Sequence, residues 1–517
     1  MRYFHCLTIA LLVAATLSAP ANAASIINGE YTSFPPGPED DYKVTCSVDN
    51  RYERLTDYAN GYSLLVPQGL TVDASLSPVV TVLTNDNLRI EIYYDNFAGT
   101  QATTDDYISF SNKFINNTQE HKLLQEENYR QNGFSIHLLN WTRRKLSHVP
   151  NDKNYYSSIE LVKSQNEVYT IFIKSTQPID NAQEIAASFT LTEKRGKSRF
   201  AIPISQGHTP LNDETRGFYD KYFSANSPLR WGIFEPAAPQ EFEKLDTLEK
   251  QLNYTFPVLV RYQSFDENLP IIALRSAYEH GRTVELTLQT GYNFVDNSSV
   301  IYDILAGKYD DYFTLYAQQL KAFGHPVLFR LNNEMNGDWC WYSSAYYSKD
   351  AELYTASWRY IRHIFDENGV DNVLWVWNPH DLSFPDFKWN HYLRYYPGDE
   401  YVDIIGLTGY NTGNYFAGEK WREFSEIYPS IYAEYDQHFA KPFMITEFGS
   451  NSAGGNKAAW MGKMFDQMGR FTKIKIAVWW NGIDWDTSGK PGRIYLLDET
   501  EETTAAFREG LQKFSRQ

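Results

Sequence analysis

Apolar and polar residues follow two different rhythms along the 517-residue chain. From residue 31 to 194 the apolar positions fall in short period-two runs at 62–67, 79–83, 88–94, 134–140, 157–162 and 168–174. Period two sends successive side chains to opposite faces, so these runs predict half-buried strands. Segments 107–120 and 179–187 carry helical spacing instead. Strands with few helices predict a small α+β domain with an antiparallel sheet over residues 24–194. Residues 195–215 mix Lys, Arg, Gly, Pro, Ser and Thr without a period and are expected to form a linker. Beyond residue 229 the rhythm changes. Eight apolar runs (229–236, 256–265, 283–290, 326–334, 372–380, 402–411, 441–449 and 474–481) alternate with amphipathic stretches at 239–252, 269–280, 309–323, 351–368, 421–439, 456–471 and 503–514. Eightfold strand–helix alternation predicts a (β/α)8 barrel over residues 216–517. A doubly wound sheet alternates in the same way, but no Gly-rich phosphate turn follows the first run, and the barrel is preferred.

The first residues bear on compartment. Met1-Arg2, an apolar stretch at 7–17 and the small–x–small triplet Ala21-Asn22-Ala23 form a signal-peptide pattern over residues 1–23. Its apolar stretch is too short to span a bilayer, and no later stretch is apolar enough. The expectation is an exported protein, extracellular or periplasmic, with no transmembrane segment. Cys46 and Cys340 are then the two cysteines left, expected as free thiols. A net charge of −17 argues against nucleic acid as a partner, because phosphate binding needs a basic footprint. HExxH, CxxC, GxSxG and P-loop patterns are absent, so no metal or other cofactor is expected. Aromatic residues make up 16% of the chain, with 13 Trp and 38 Tyr. Flat rings serve either as core or as platforms for sugar rings.

The chemistry concentrates at the carboxyl ends of the barrel runs, where barrel enzymes place their sites. The fourth run ends in Phe329-Arg-Leu-Asn-Asn-Glu334 and the seventh in Phe443-Met-Ile-Thr-Glu447. Two carboxyls at one barrel mouth are what glycoside hydrolysis requires, one as nucleophile and one as acid/base. Arg330 shares parity with Glu334 and is expected to point into the barrel, where a cation keeps a nucleophilic carboxylate ionised. Trp339 and Trp341 offer an apolar wall that favours a protonated Glu334. Trp479 and Trp480 end the eighth run. Alternation turns one inward as a sugar platform and the other against the helices, and both enter the candidate substrate-binding set. His380 and Asn411 are read as structural hydrogen-bonders, and Cys340 as a small apolar filler.

The blocks "ILAGKYDDYF…LKAFGHPVLFRLNNEMNGDWCWY", "YYPGDEYVDIIGLTGYN" and "PFMITEFGS" resemble glycoside hydrolase family 26, mostly β-mannanases with some mixed-linkage glucanases and β-1,3-xylanases. The resemblance runs from about residue 231 to the end of the barrel. It implies Glu334 as acid/base, Glu447 as nucleophile, Trp339 as an aromatic lining the site and Tyr410 as a tyrosine near the nucleophile. It also implies a polysaccharide substrate, with β-1,4-mannan first. One position departs: the family's mannanases usually carry His before the acid/base, and this chain carries Asn333. Asn–Glu is the usual pair of the wider clan, in which the Asn binds the sugar 2-hydroxyl. β-Glucan and β-1,3-xylan therefore stay open, as does a polysaccharide-binding protein without turnover. In the amino-terminal half, "GYSLLVPQGL" and the closing "AQEIAASFTL" resemble PsbP/Mog1-like domains in spacing. That half shows no chemistry of its own and is expected to be an accessory domain that attaches to glycan or cell surface.

Overall fold

All eight apolar runs of the carboxy-terminal half form strands in the computed structural model, which describes residues 23–205, 209–265, 267–291 and 299–514. The strands are Arg230–Phe234, Val258–Ser264, Thr283–Gln289, Val327–Leu331, Val373–Trp377, Ile404–Thr408, Phe443–Phe448 and Ile474–Trp480. Each runs parallel to the next, and the first pairs with the eighth (Gly232 opposite Val478), closing a (β/α)8 barrel. Parallel neighbours require crossovers, supplied here by helices such as Glu243–Leu252, Asp310–Phe323, Ala351–Glu367 and Phe424–His438. Strand residues are covered on both faces. In the fourth strand Val327, Leu328, Phe329, Arg330 and Leu331 are all buried.

One end of the barrel is plugged. The helix Asp213–Phe223 starts where the linker was expected to end, its Asn212 cap accepting from Thr215 N at 2.8 Å. Its Phe223 packs among Val258, Leu328, Leu374, Ile404 and Ile476, residues at the amino ends of their strands. The carboxyl ends are thereby left as the open face.

The boundaries of the compact units differ from the expected 24–194 accessory domain. Residues up to 85 join 180–201 in one unit, while 86–179 join the barrel in the other. The first unit holds a six-stranded antiparallel sheet built on Tyr42–Ser47, Tyr52–Asp57 and Tyr62–Pro67, with the helix Ala182–Ser188. The second holds the barrel and a five-stranded antiparallel sheet in the order Leu88–Asn96, Glu167–Ser175, Tyr155–Ser164, Phe134–Arg143, His121–Gln131. The last of these strands is largely polar and carries no period-two signal, so the sequence reading missed it. Buried ion pairs and tryptophan hydrogen bonds fasten this sheet to the barrel, which is why it clusters there. The expected signal peptide lies, except for Ala23, outside the described residues. No described helix is long and apolar enough to cross a membrane. Cys46 and Cys340 are free thiols.

Candidate active site

The fourth strand ends at Leu331, three residues before Glu334, and the chain then turns sharply. Asn332 and Glu334 both adopt left-handed backbone (φ 51° and 56°), a conformation costing about 1–3 kcal/mol each in non-glycine residues. Neighbouring strands hold the turn in place. Thr290 N and Oγ1 donate to Asn332 Oδ1 at 2.8 and 3.0 Å, and Glu334 N donates to Asn378 O at 2.7 Å. Strand parity therefore stops before Glu334, and the turn, not alternation, aims its carboxyl. Trp339 Nε1 donates to Glu334 Oε2 at 3.0 Å, and His380 Nε2 lies 4.0 Å from Oε1.

Glu447 stays on the seventh strand. Pairing registers slip on both sides of it, at Leu407/Thr408 and at Ile445/Phe448, the kind of irregularity that re-aims a side chain near a site. Its carboxylate accepts from Arg330 Nη2 at 3.2 Å. Arg330 is fully buried and also donates to Thr287 Oγ1 (2.8 Å) and Asn378 Oδ1 (3.1 Å). On its other side Nε lies 3.0 Å from Glu285, whose carboxylate accepts no well-directed hydrogen bond. One guanidinium thus serves two buried carboxylates. Burial, reinforced by the charge of Asp484, pushes Glu447 up to about 8. Burial pushes Glu285 up to about 7 against the pull of Arg330. Arg330 at 3.2 Å from Glu447 likewise favours the ionised form.

Glu334 and Glu447 line one cavity of about 1050 Å³. Its walls are aromatic, with Phe234, Tyr262, Trp339, Phe384, Tyr410, Trp480 and Tyr495, and its polar groups include Gln289, Asn333, His380 and Asp484. Asn333 accepts through its side-chain oxygen from Gln289 Nε2 (3.0 Å) and from Tyr342 OH (3.3 Å), leaving its NH2 as the donor offered to the cavity. Tyr410 is held protonated, first by burial and then by the charge of Glu334. Among the described residues no cluster of His, Cys, Asp or Glu is suited to a metal ion.

Residues 278–460, which include both glutamates, match the sequence model of Glycosyl hydrolase family 26. The chain is similar to that family over this stretch, which is less than half of its length. Endoglucanase H of Acetivibrio thermocellus is 33% identical over 244 residues, covering 46% of this chain and 25% of that protein. A mannan endo-1,4-β-mannosidase of Bacillus subtilis is 40% identical over 146 residues, covering 27% of this chain and 34% of that protein. The chain thus spans about a third or less of the length of these relatives. The catalytic domain of an endo-β-1,4-mannanase from Bacillus sp. JAMB-750 aligns in three dimensions with TM-score 0.45 and 20% identity, over 59% of this chain and 91% of that one.

Of the residues singled out in the sequence, the barrel gathers Glu334, Glu447, Asn333, Trp339, Tyr410 and Trp480 around the cavity, with Arg330 directly beneath. Trp479 is a correction to the substrate-binding set. It is fully buried, donates to Tyr495 O at 2.7 Å and packs on Phe448, Trp460 and Phe507. Trp480 takes the cavity side, stacked on Phe234 with 5.1 Å between centroids. Trp341 packs on Tyr346 and does not line the cavity, so the apolar wall beside Glu334 is Trp339 with Phe384. Asn411 is structural, donating to Ser450 Oγ at 2.9 Å. His380, read as a structural hydrogen-bonder, also lines the cavity, with its ring against Trp339 and its Nε2 4.0 Å from Glu334 Oε1. Gln289, Asp484, Arg493 and Tyr495 went unremarked in the sequence. Gln289 closes the third strand and was legible there, whereas the others sit on the eighth loop, whose course no periodicity encodes.

Proposed function

We propose that the barrel is a retaining glycoside hydrolase that cleaves internal β-linkages of a mannan-type polysaccharide. The observation that carries this reading is the pair Glu334 and Glu447, contributed by the fourth and seventh strands to one aromatic-walled cavity. Glu447, held by Arg330, attacks the anomeric carbon and forms a glycosyl-enzyme. Glu334 protonates the departing oxygen and then takes a proton from the water that releases the sugar. Trp339 Nε1 orients the Glu334 carboxyl, and the Asn333 NH2 is placed to donate to a sugar 2-hydroxyl. Trp480 and Tyr262 supply flat faces for sugar rings. The leader pattern at residues 1–23 supports export, and the unit containing Tyr42–Asp57 is the candidate for attachment to glycan or cell surface.

A second reading, a β-glucanase, has two supports: by the sequence resemblance Asn333 stands where the family's mannanases usually carry His, and the alignment to a protein named endoglucanase covers more of this chain than that to the B. subtilis mannosidase. Release of reducing ends from galactomannan, glucomannan, mixed-linkage β-glucan and β-1,3-xylan by the purified chain decides between them. Activity confined to the mannans supports the first reading, and activity confined to β-glucan the second. Inactivity on all four removes both.

The charge of Asp484 makes a pH prediction. A nucleophile must be ionised, so kcat/KM rises with pH through the Glu447 value, which Asp484 helps to raise. Asp484→Asn removes a negative neighbour, favours ionised Glu447 and moves the acid limb of kcat/KM to lower pH by roughly 0.5–1 unit. A pH–rate profile of the variant checks it. An unmoved acid limb removes Glu447 as the group that titrates there.

A further inference from the structure

The loop that follows Glu334 ends in an unusual backbone. Ser348 and Lys349 are consecutive non-glycine residues in the left-handed region (φ 59° and 46°). L-residues adopt that conformation only where their surroundings over-determine it. Here the surroundings come from the five-stranded sheet. Trp141 Nε1 donates to Ser348 Oγ at 3.0 Å. Lys349 is almost wholly buried and donates to Glu160 Oε1 (2.9 Å), Ser158 Oγ (2.7 Å) and Asn112 Oδ1 (3.1 Å). Asp350 accepts from Lys174 Nζ at 2.7 Å and from Tyr156 OH at 3.0 Å. Three successive residues are each gripped by a different strand position of one sheet.

The same sheet reaches the next loop of the barrel mouth. Asp95 accepts from Lys388 N at 2.8 Å, Trp389 Nε1 donates to Ser111 Oγ just beyond the sheet at 2.9 Å, and Arg394 donates to Glu91 at 2.7 Å. These two loops carry Trp339 on one side and His380 and Phe384 on the other, the groups that surround Glu334. They are tied to each other as well, since Asn336 Nδ2 donates to His380 O at 3.0 Å.

We propose that the sheet formed by residues 88–175 is a clamp on the fourth and fifth loops of the barrel, and that Glu160, acting through Lys349, is a positioning residue for Glu334. The inference rests on the reading of Glu334 as acid/base. It places the sheet inside the catalytic machinery instead of on a separate attachment module. The physical logic is that a buried lysine held by a buried carboxylate fixes the far end of the 335–350 loop. The near end is the hydrogen-bonded turn at Glu334, and Trp339 sits between the two.

The test separates positioning from general stability through the leaving group. Polysaccharide cleavage needs a proton from Glu334, whereas an aryl glycoside with an activated leaving group departs without one, and azide accepts the glycosyl group without general base help. Full-length wild type, Glu160→Gln and Trp141→Phe are compared on the active polymer and on a dinitrophenyl glycoside with azide, below the melting temperature of each variant. Expected are losses in kcat of about 10-fold or more on the polymer and of less than about 3-fold on the activated substrate with azide, the latter corresponding to under about 1 kcal/mol. Lys349→Arg, which keeps the cation, is expected to retain more polymer activity than Lys349→Met. Equal losses on both substrates, or none on either, overturn the clamp. Trp141→Phe keeps an aromatic ring in the site while removing the donor to Ser348 Oγ, so it answers if Glu160→Gln does not fold. A wild type inactive on every β-glycan overturns the underlying reading instead, which keeps the two failures distinct.

Discussion

Glu447→Ala is expected to lower kcat on the preferred polysaccharide by at least about 10³-fold, because under the proposed double displacement it removes the group that forms the covalent intermediate. Binding of the polymer should survive, since the aromatic walls and Asn333 remain. Steady-state kinetics and affinity electrophoresis on the same polymer check the two halves. Azide adds a sharper reading. A small anion entering the vacated space attacks from the face Glu447 used, so the rescued product should carry inverted anomeric configuration. Glu334→Ala with azide should instead give a product of retained configuration. Full activity in Glu447→Ala removes the assignment, and lost binding without lost kcat marks Glu447 as a recognition group.

Arg330→Met carries the second large effect, on stability and turnover together. Arg330 is the buried cation between Glu285 and Glu447, so removing it leaves two buried carboxylates uncompensated. Breaking a buried pair by deleting one partner typically costs about 3–5 kcal/mol. The cost should depend on pH. Both carboxyls already sit above their ordinary range in the folded protein, at about 7 and about 8. A raised folded pKa means that the stabilising contribution is complete below the unfolded value and is lost as pH rises through the folded one. Without Arg330 both values climb further. The melting-temperature deficit of the variant should therefore be small near pH 4.5 and grow towards pH 8. Turnover at pH 7 should fall because the ionised fraction of Glu447, already a minority there, becomes smaller still. Melting curves across that range check the sign, and a deficit that shrinks with rising pH contradicts it. Glu285→Gln in the Arg330→Met background should recover part of the lost stability at pH 8, because one of the two carboxyls that must resist ionisation on burial is gone.

The rhythm of apolar residues announced the barrel because each strand is covered on both faces and each helix on one, which leaves separate marks on the sequence. The positions of Glu334 and Glu447 were legible for the same reason, since both fall at the carboxyl ends of such runs. The helix Asp213–Phe223 was hidden in a polar stretch whose few aromatic residues plug the barrel floor. The strand His121–Gln131 was hidden because it is mostly exposed and has no buried face to mark.

The sequence by itself determined the barrel, its order of strands and helices, and the two carboxyls at its mouth. These depend on period and on position within a run, both of which are local. Only the tertiary structure decided which of Trp479 and Trp480 meets the cavity, that His380 approaches Glu334, and that a left-handed turn aims the Glu334 carboxyl. It also decided that one arginine holds two buried carboxylates and that the five-stranded sheet grips the loops beside Glu334. Each of these is a contact between residues remote in the chain, such as Lys349 with Glu160 or Arg330 with Glu447. Burial gives such pairs their consequence by removing the water that would otherwise screen them.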